Sequence, residues 1–232
     1  MTVQDDDRER ELRTLFNMVR PEEFGRADVD AILELDTPSG DLQVPFELKS
    51  ATRSRPSIST VRDMGPAHLE KWRSLHWLFG VYDSGSRPRL QYCLYGSPKA
   101  MRPWIDEMSA YIAADVALAK NVPALLGDAA LTDSLGDREA FDAADARRLM
   151  KRQYTAAQYL AASDLPGGMY SRQAMLSLLR ERCAYLIRRG ATLNNPHIRP
   201  GYFQGWERIE RNHAARLRTM VAAAIAEEAG DG

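Results

Sequence analysis

The chain is poor in the residues that hold soft metals or covalent cross-links. It has two cysteines in 232 residues, Cys93 and Cys183, far apart and without metal-ligand spacing around either. That argues against a disulfide framework and leaves a reduced thiol pair as the expectation. Histidine is equally sparse: residues 68, 76, 197 and 213 are too scattered to form a zinc motif. No apolar run approaches the roughly 18 residues of a membrane-spanning helix, so no membrane association is expected. The opening Met-Thr-Val-Gln-Asp-Asp-Asp-Arg is acidic and lacks an apolar core, unlike a secretory signal. There is no internal repeat and no low-complexity tract.

Net charge is also nearly absent, at −1, but its distribution is uneven. Residues 1–49 carry 13 acidic against 6 basic side chains, whereas residues 147–220 carry 14 basic against 4 acidic. Such blocks either neutralise one another within the fold or present a cationic surface to a polyanion.

What the chain does have is a strong hairpin signal between Ala27 and Ser50. Two runs of alternating apolar residues flank Thr37-Pro38-Ser39-Gly40-Asp41, a turn composition. A turn centred between Thr37 and Gly40 sets Leu35 opposite Leu42 and Ala31 opposite Phe46. Side chains alternate between faces along a strand, so Leu33, Leu35, Val44, Phe46 and Leu48 share one face. Asp28, Asp30, Glu47 and Lys49 fall on the other. The same register sets Asp30 across from Glu47 and Asp28 across from Lys49, with directly opposed Cβ atoms roughly 4.5–5.5 Å apart. A slip of two residues would pair Asp28 with Glu47 instead, and the residues alone leave both registers open.

Around the hairpin, helical spacing over Arg8 to Arg20 predicts a helix ended by Pro21. A helix beginning near Thr60, interrupted at Gly65-Pro66, resumes over Ala67 to Leu75. Trp77 to Tyr82 and Leu90 to Tyr95 read as strands. After Pro98 the pattern becomes helical, with helices expected over about 100–121, 138–161 and from Ser171 to Gly190, and a last helix carrying Trp206 to Ile225; no further strand is expected. Strands early and helices late indicate a mixed α/β (α+β) fold, with a core over 1–98 and a helical region over 99–232.

Two carboxylates and a lysine on one face suit phosphodiester hydrolysis. Carboxylate oxygens are ligands for magnesium, and an adjacent ammonium stabilises charge on a phosphate in the transition state. Asp30 followed by Glu47-Leu48-Lys49 resembles the PD-(D/E)xK nuclease superfamily and, within it, type II restriction endonucleases. The likeness covers about residues 8–97. It implies a restriction-endonuclease-like core with a central mixed sheet flanked by helices and catalytic residues Asp30, Glu47 and Lys49. It further implies Mg2+ held by Asp30 and Glu47, cleavage of double-stranded DNA, and a homodimer in the cytoplasm of a bacterium or archaeon. Val29 precedes Asp30, so the Pro-Asp pair of the motif is missing and Asp28 competes as the first metal ligand. Glu11 or Glu23 could assist from a neighbouring position, and nothing in the sequence selects either.

Beyond the hairpin, Arg53, Arg55, Ser57, Thr60 and Arg62 leave the strand bearing Lys49, and Lys71 follows. Arginine and hydroxyl groups there suit phosphates and guanine edges. Asn194, Asn195, His197 and Arg199 form a second polar loop with base-reading chemistry. Two other readings stay open: a repair or recombination nuclease, and a non-catalytic DNA-binding protein.

Overall fold

The hairpin forms in the register read from its turn: Leu35 pairs with Leu42, Leu33 with Val44 and Ala31 with Phe46. The computed structural model describes residues 3–20, 29–37, 40–53, 57–61, 64–192 and 195–230. In chain order the first elements are α1 (Val3–Phe16), β1 (Ala31–Thr37), β2 (Gly40–Thr52), β3 (Ile58–Ser59) and α2 (Pro66–Arg73). They continue with β4 (His76–Tyr82), β5 (Leu90–Gly96) and α3 (Pro98–Asn121). Next come α4 (Asp128–Leu135), β6 (Ala140–Phe141), α5 (Ala143–Leu149), α6 (Ala156–Ala162), β7 (Tyr170–Ser171) and α7 (Arg172–Gly190). The last are β8 (His197–Ile198), β9 (Arg208–Ile209) and α8 (His213–Gly230).

The fold is mixed α/β, with a five-stranded mixed sheet of order β1-β2-β4-β5-β9 and a largely helical region after residue 98. The chain divides into two compact units. One holds residues 1–62, 66–109 and 194–232; the other holds 63–65 and 110–193.

In the first unit β2 changes partners along its length. It pairs antiparallel with β1 up to Phe46 and parallel with β4 from Phe46 to Thr52. Pro45, which has no N–H for a ladder, is tolerated because pairing with β4 begins one residue later. A parallel pair needs a crossover, and α2 supplies it between β2 and β4. On one face of the sheet Leu33, Val44, Phe46, Leu48, Leu78 and Ile209 pack with Leu12 and Phe16 of α1 and Leu217 and Val221 of α8. Side chains such as Phe16, 0 % exposed, contribute about 1.5–3 kcal/mol each when fully buried. The opposite face is aromatic: Trp77 and Phe79 of β4 meet Trp72 of α2, Trp104 of α3, and Phe203 and Trp206.

α1 stops at Phe16, short of the expected Arg20, and the cause is local. Asn17 takes a left-handed φ of 52°, the Met18 N–H donates to the Arg13 carbonyl at 2.9 Å and the Asn17 N–H to that of Thr14 at 3.3 Å. This Schellman cap turns the chain so that Val19 bridges Ile32 of β1.

The second unit is built around Phe141, Tyr159, Tyr170 and Met175, all buried. The single helix expected over 138–161 is two. Lys151 and Arg152, at φ 52° and 59°, end α5, and Thr155 caps α6 with Gln158 in a capping box. The expectation of no strand beyond Tyr95 also fails. β6, β7, β8 and β9 are two residues each, too short to leave a period in the sequence. Trp206 and Ile209 consequently precede the last helix: Ile209 is in β9, and α8 begins at His213. Near Thr60 the chain forms β3 rather than a helix, pairing Ile58 with Ile198 and Ser59 with His197.

Candidate active site

Glu47 and Lys49 sit on the aromatic face of β2, beside Trp77 and Phe79 of β4 in the parallel register. The alternation that buries Phe46 and Leu48 among α1 and α8 therefore turns Glu47 and Lys49 the other way. Glu47 is 4 % exposed, and a charge held that far from water requires a partner. Lys49 provides it, with Nζ 2.6 Å from Glu47 Oε1 and 3.6 Å from Asp30 Oδ2. The same ammonium donates to the Leu48 carbonyl at 3.0 Å.

Asp30 reaches this point by leaving the ladder. Its N–H donates to the Phe46 carbonyl at 3.0 Å. Its carboxylate then accepts the Leu48 N–H, two residues further along β2, at 2.8 Å. Asp30 and Glu47 therefore meet through Lys49, not as a simple cross-strand pair. From α1, Arg13 donates to the Asp30 carbonyl at 3.2 Å and pairs with Glu9 at 3.7 Å.

Charge and burial act against each other here. Burial pushes the Asp30 carboxyl above the usual carboxylate range, outweighing the pull of Lys49, and the Glu47 charge adds to the rise. Burial pulls the Lys49 ammonium down, but Glu47 and Asp30 more than offset it, so the group stays above the ordinary lysine range. From α2, the Lys71 charge reaches Asp30 and His68. His68 packs edge-on against Trp72. Its pKa is lowered to about 4 by burial and then by Lys71 and Lys49, and its Nε2 has no hydrogen-bond partner among the described residues.

The donor set suits a hard cation. Glu47 Oε1, Asp30 Oδ2 and the Leu48 carbonyl surround one positive charge, and the burial of Asp30 is incompletely offset by it. These are oxygen ligands of the kind magnesium takes, with water completing its shell. Among the described residues, however, no group of three or more His, Cys, Asp or Glu side chains could hold a metal ion.

The structure thus joins Asp30, Glu47 and Lys49, with Lys71 nearby in charge. Asp28, Arg55, Arg62 and Asn194 lie outside the described residues, as does Glu23. Glu11 accepts from the Tyr82 hydroxyl at 3.0 Å, while Glu9 is the α1 acid whose charge acts on Lys49. Glu9 was not singled out in the sequence, where its only mark is four-residue spacing from Arg13 on a helix face. The two polar loops expected to meet DNA are joined to each other through the β3–β8 ribbon, where Asn195 donates to the Ser59 hydroxyl at 3.1 Å. Thr60 belongs to that joint. Its hydroxyl and N–H both donate to the Pro196 carbonyl, at 2.8 and 3.0 Å, and it is buried, so it fixes the ribbon rather than meeting a phosphate. Arg53, His197 and Arg199 are exposed, and Ser57 is half-buried.

No protein-family model matches the chain, and no curated protein matches it in sequence. No helix among the described residues is long and apolar enough to cross a membrane.

Proposed function

We propose that the chain is a magnesium-dependent, sequence-specific endonuclease of double-stranded DNA, of the type II restriction kind. The observation that carries this reading is one ammonium, Lys49, held between the carboxylates of Asp30 and Glu47. The surrounding hairpin and parallel crossover support it, being the order of elements that the resemblance to PD-(D/E)xK nucleases implies.

In this reading Asp30 and Glu47 hold the metal. When bound, magnesium neutralises charge on the scissile phosphate and acidifies an attacking water. Lys49 stays protonated through the neutral range, because its two carboxylate neighbours hold its pKa high. Its role is accordingly a fixed positive charge that stabilises the phosphorane-like transition state, not a general base. Arg53 and Lys71 steer the phosphate backbone. Cutting both strands of a palindromic site takes two such centres related by a two-fold axis, hence a homodimer.

The test is incubation of phage or plasmid DNA with the protein and magnesium. Discrete fragments, lost in Lys49→Ala while DNA binding survives, are expected. Intact DNA under all divalent-cation conditions would overturn the reading. One observation favours a rival, a non-catalytic DNA-binding protein with a structural ion-pair network: no three-ligand group for a metal occurs among the described residues. That reading expects binding without cleavage.

A further inference from the structure

The second compact unit contains a cleft of about 850 Å³ formed where α5 turns into α6. Four cations line it within six residues: Arg147, Arg148, Lys151 and Arg152. The half-buried Tyr154 is its aromatic side, packed against the buried Tyr159 with ring centroids 5.3 Å apart.

The local backbone puts the cations there. Lys151 and Arg152 both have left-handed φ values, 52° and 59°, in the Schellman cap of α5: the Arg152 N–H donates to the Arg147 carbonyl at 3.0 Å and the Lys151 N–H to that of Arg148 at 3.4 Å. Glycine is the usual residue at such a position because it carries no Cβ. Two long cationic side chains occupy strained positions here, at a helix C-terminus, which favours positive charge.

Their charge is largely uncompensated. Arg148 lies 3.4 Å from Asp145, whose other oxygen is held by Arg138 at 2.8 Å. Arg147, Lys151 and Arg152 form no ion pair among the described residues. Arg147 lies over the Tyr159 ring, 5.8 Å from its centroid. The Tyr159 hydroxyl is buried and has no hydrogen-bond partner among the described residues, an arrangement that costs free energy. The Tyr154 hydroxyl donates to Glu181, which leaves its ring as the part offered to the cleft.

We propose that this cleft binds a nucleoside phosphate: phosphate oxygens on Arg147, Lys151 and Arg152, and the base against the Tyr154 ring. Cations beside aromatic rings match a ligand that is anionic at one end and planar and apolar at the other. The site is independent of the acids on the hairpin and stands or falls separately from the endonuclease reading. The nucleotide has two possible sources, a free mononucleotide or one unit of a nucleic-acid strand.

The test uses the full chain, with deoxynucleoside 5′-monophosphates, inorganic phosphate and a labelled single-stranded oligonucleotide as probes, read by calorimetry and fluorescence anisotropy. The variant is Lys151→Gly with Arg152→Gly, which removes two cations while relieving the left-handed strain, so its thermal midpoint should hold or rise. Binding should weaken at least tenfold in that variant. Arg188→Ala with Arg189→Ala, an equal loss of charge outside the cleft, should leave binding unchanged. Affinity for the mononucleotide assigns the free ligand, and affinity for the oligonucleotide alone assigns the strand. Binding that is absent for both, equal in the glycine variant, equally weakened by the Arg188 and Arg189 change, or as tight for inorganic phosphate as for the nucleotide would overturn the proposal.

Discussion

Replacing Lys49 by methionine, which keeps the length of the side chain and removes its charge, should unfold the first unit at markedly lower denaturant. Two carboxylates depend on that ammonium, one of them 4 % exposed and 2.6 Å away. Removing one partner of a buried ion pair costs roughly 3–5 kcal/mol, because the charge left behind is uncompensated. Protonation limits the loss. Asp30 is already pushed up by burial and by Glu47, and without Lys49 one of the two acids takes up a proton more readily. Lowering the pH from 7 to 5 should therefore shrink the penalty, by up to about 1.4 kcal/mol per pH unit. Urea titration followed by tryptophan fluorescence reads this directly, since Trp72, Trp77, Trp104 and Trp206 all lie in the first unit. If the vacated position suits a cation, magnesium should recover part of the loss in Lys49→Met, about 2.7 kcal/mol at a hundred times its dissociation constant. A penalty below about 1 kcal/mol at pH 7, or one that does not shrink with acid, would refute a shared, buried ammonium.

Asp30→Asn should be neutral or stabilising at pH 7 while abolishing cleavage: the folded pKa of Asp30 is raised, so the native state binds more protons than the unfolded one just above pH 4 and stability falls as pH rises through that window. Differential urea titrations at pH 4 and 7 would reverse this expectation if the variant lost stability at pH 7 alone. His76 shows the opposite behaviour. Burial lowers its pKa from 6.5 to about 4, so the unfolded chain binds the proton first and stability is lost as pH falls from about 6.5 towards 4. The full loss is on the order of 3 kcal/mol, and calorimetry of His76→Gln should show a flatter acid limb. Gly96→Ala would bring a Cβ to 2.9 Å from the Trp206 ring and 3.2 Å from Met101; a loss of about 1–3 kcal/mol with altered tryptophan emission is expected, and an unchanged midpoint would mean that this face is loosely packed.

The hairpin was legible because three signals agreed: two alternating apolar runs, a turn with Gly40 at φ 117°, and a register in which every core-facing partner is apolar. Glu47 and Lys49 followed by alternation alone. Alternation and register put Asp30 on the same face, but not its bend out of β1, which is set by a side chain capping the backbone of β2 and by Arg13 from α1, contacts distant in sequence. The early end of α1 rests on Asn17, a residue able to adopt the left-handed conformation and so a signal that could have been used. The break between α5 and α6 was marked only indirectly. Lys151 and Arg152 carry no hint of positive φ, but Asp142 with Asp145 and Thr155 with Gln158 are capping pairs three residues apart. The two-residue strands β3, β8 and β9 are products of tertiary contact, with too few residues to show a period.

The discontinuity of the first unit has a consequence for synthesis. Its sheet lacks β9 and its apolar face lacks α8 until residues 110–193 have been made. Arg218 donates to the Phe16 carbonyl across 202 positions of chain, and Leu217 and Val221 close over a face whose other members lie mostly before residue 96. On the ribosome Leu33, Phe46 and Leu78 wait with one helix of cover while the second unit, whose contacts are local, can complete itself first. Domains of a nascent chain usually fold in order from the N-terminus; in this protein the unit that starts first finishes last.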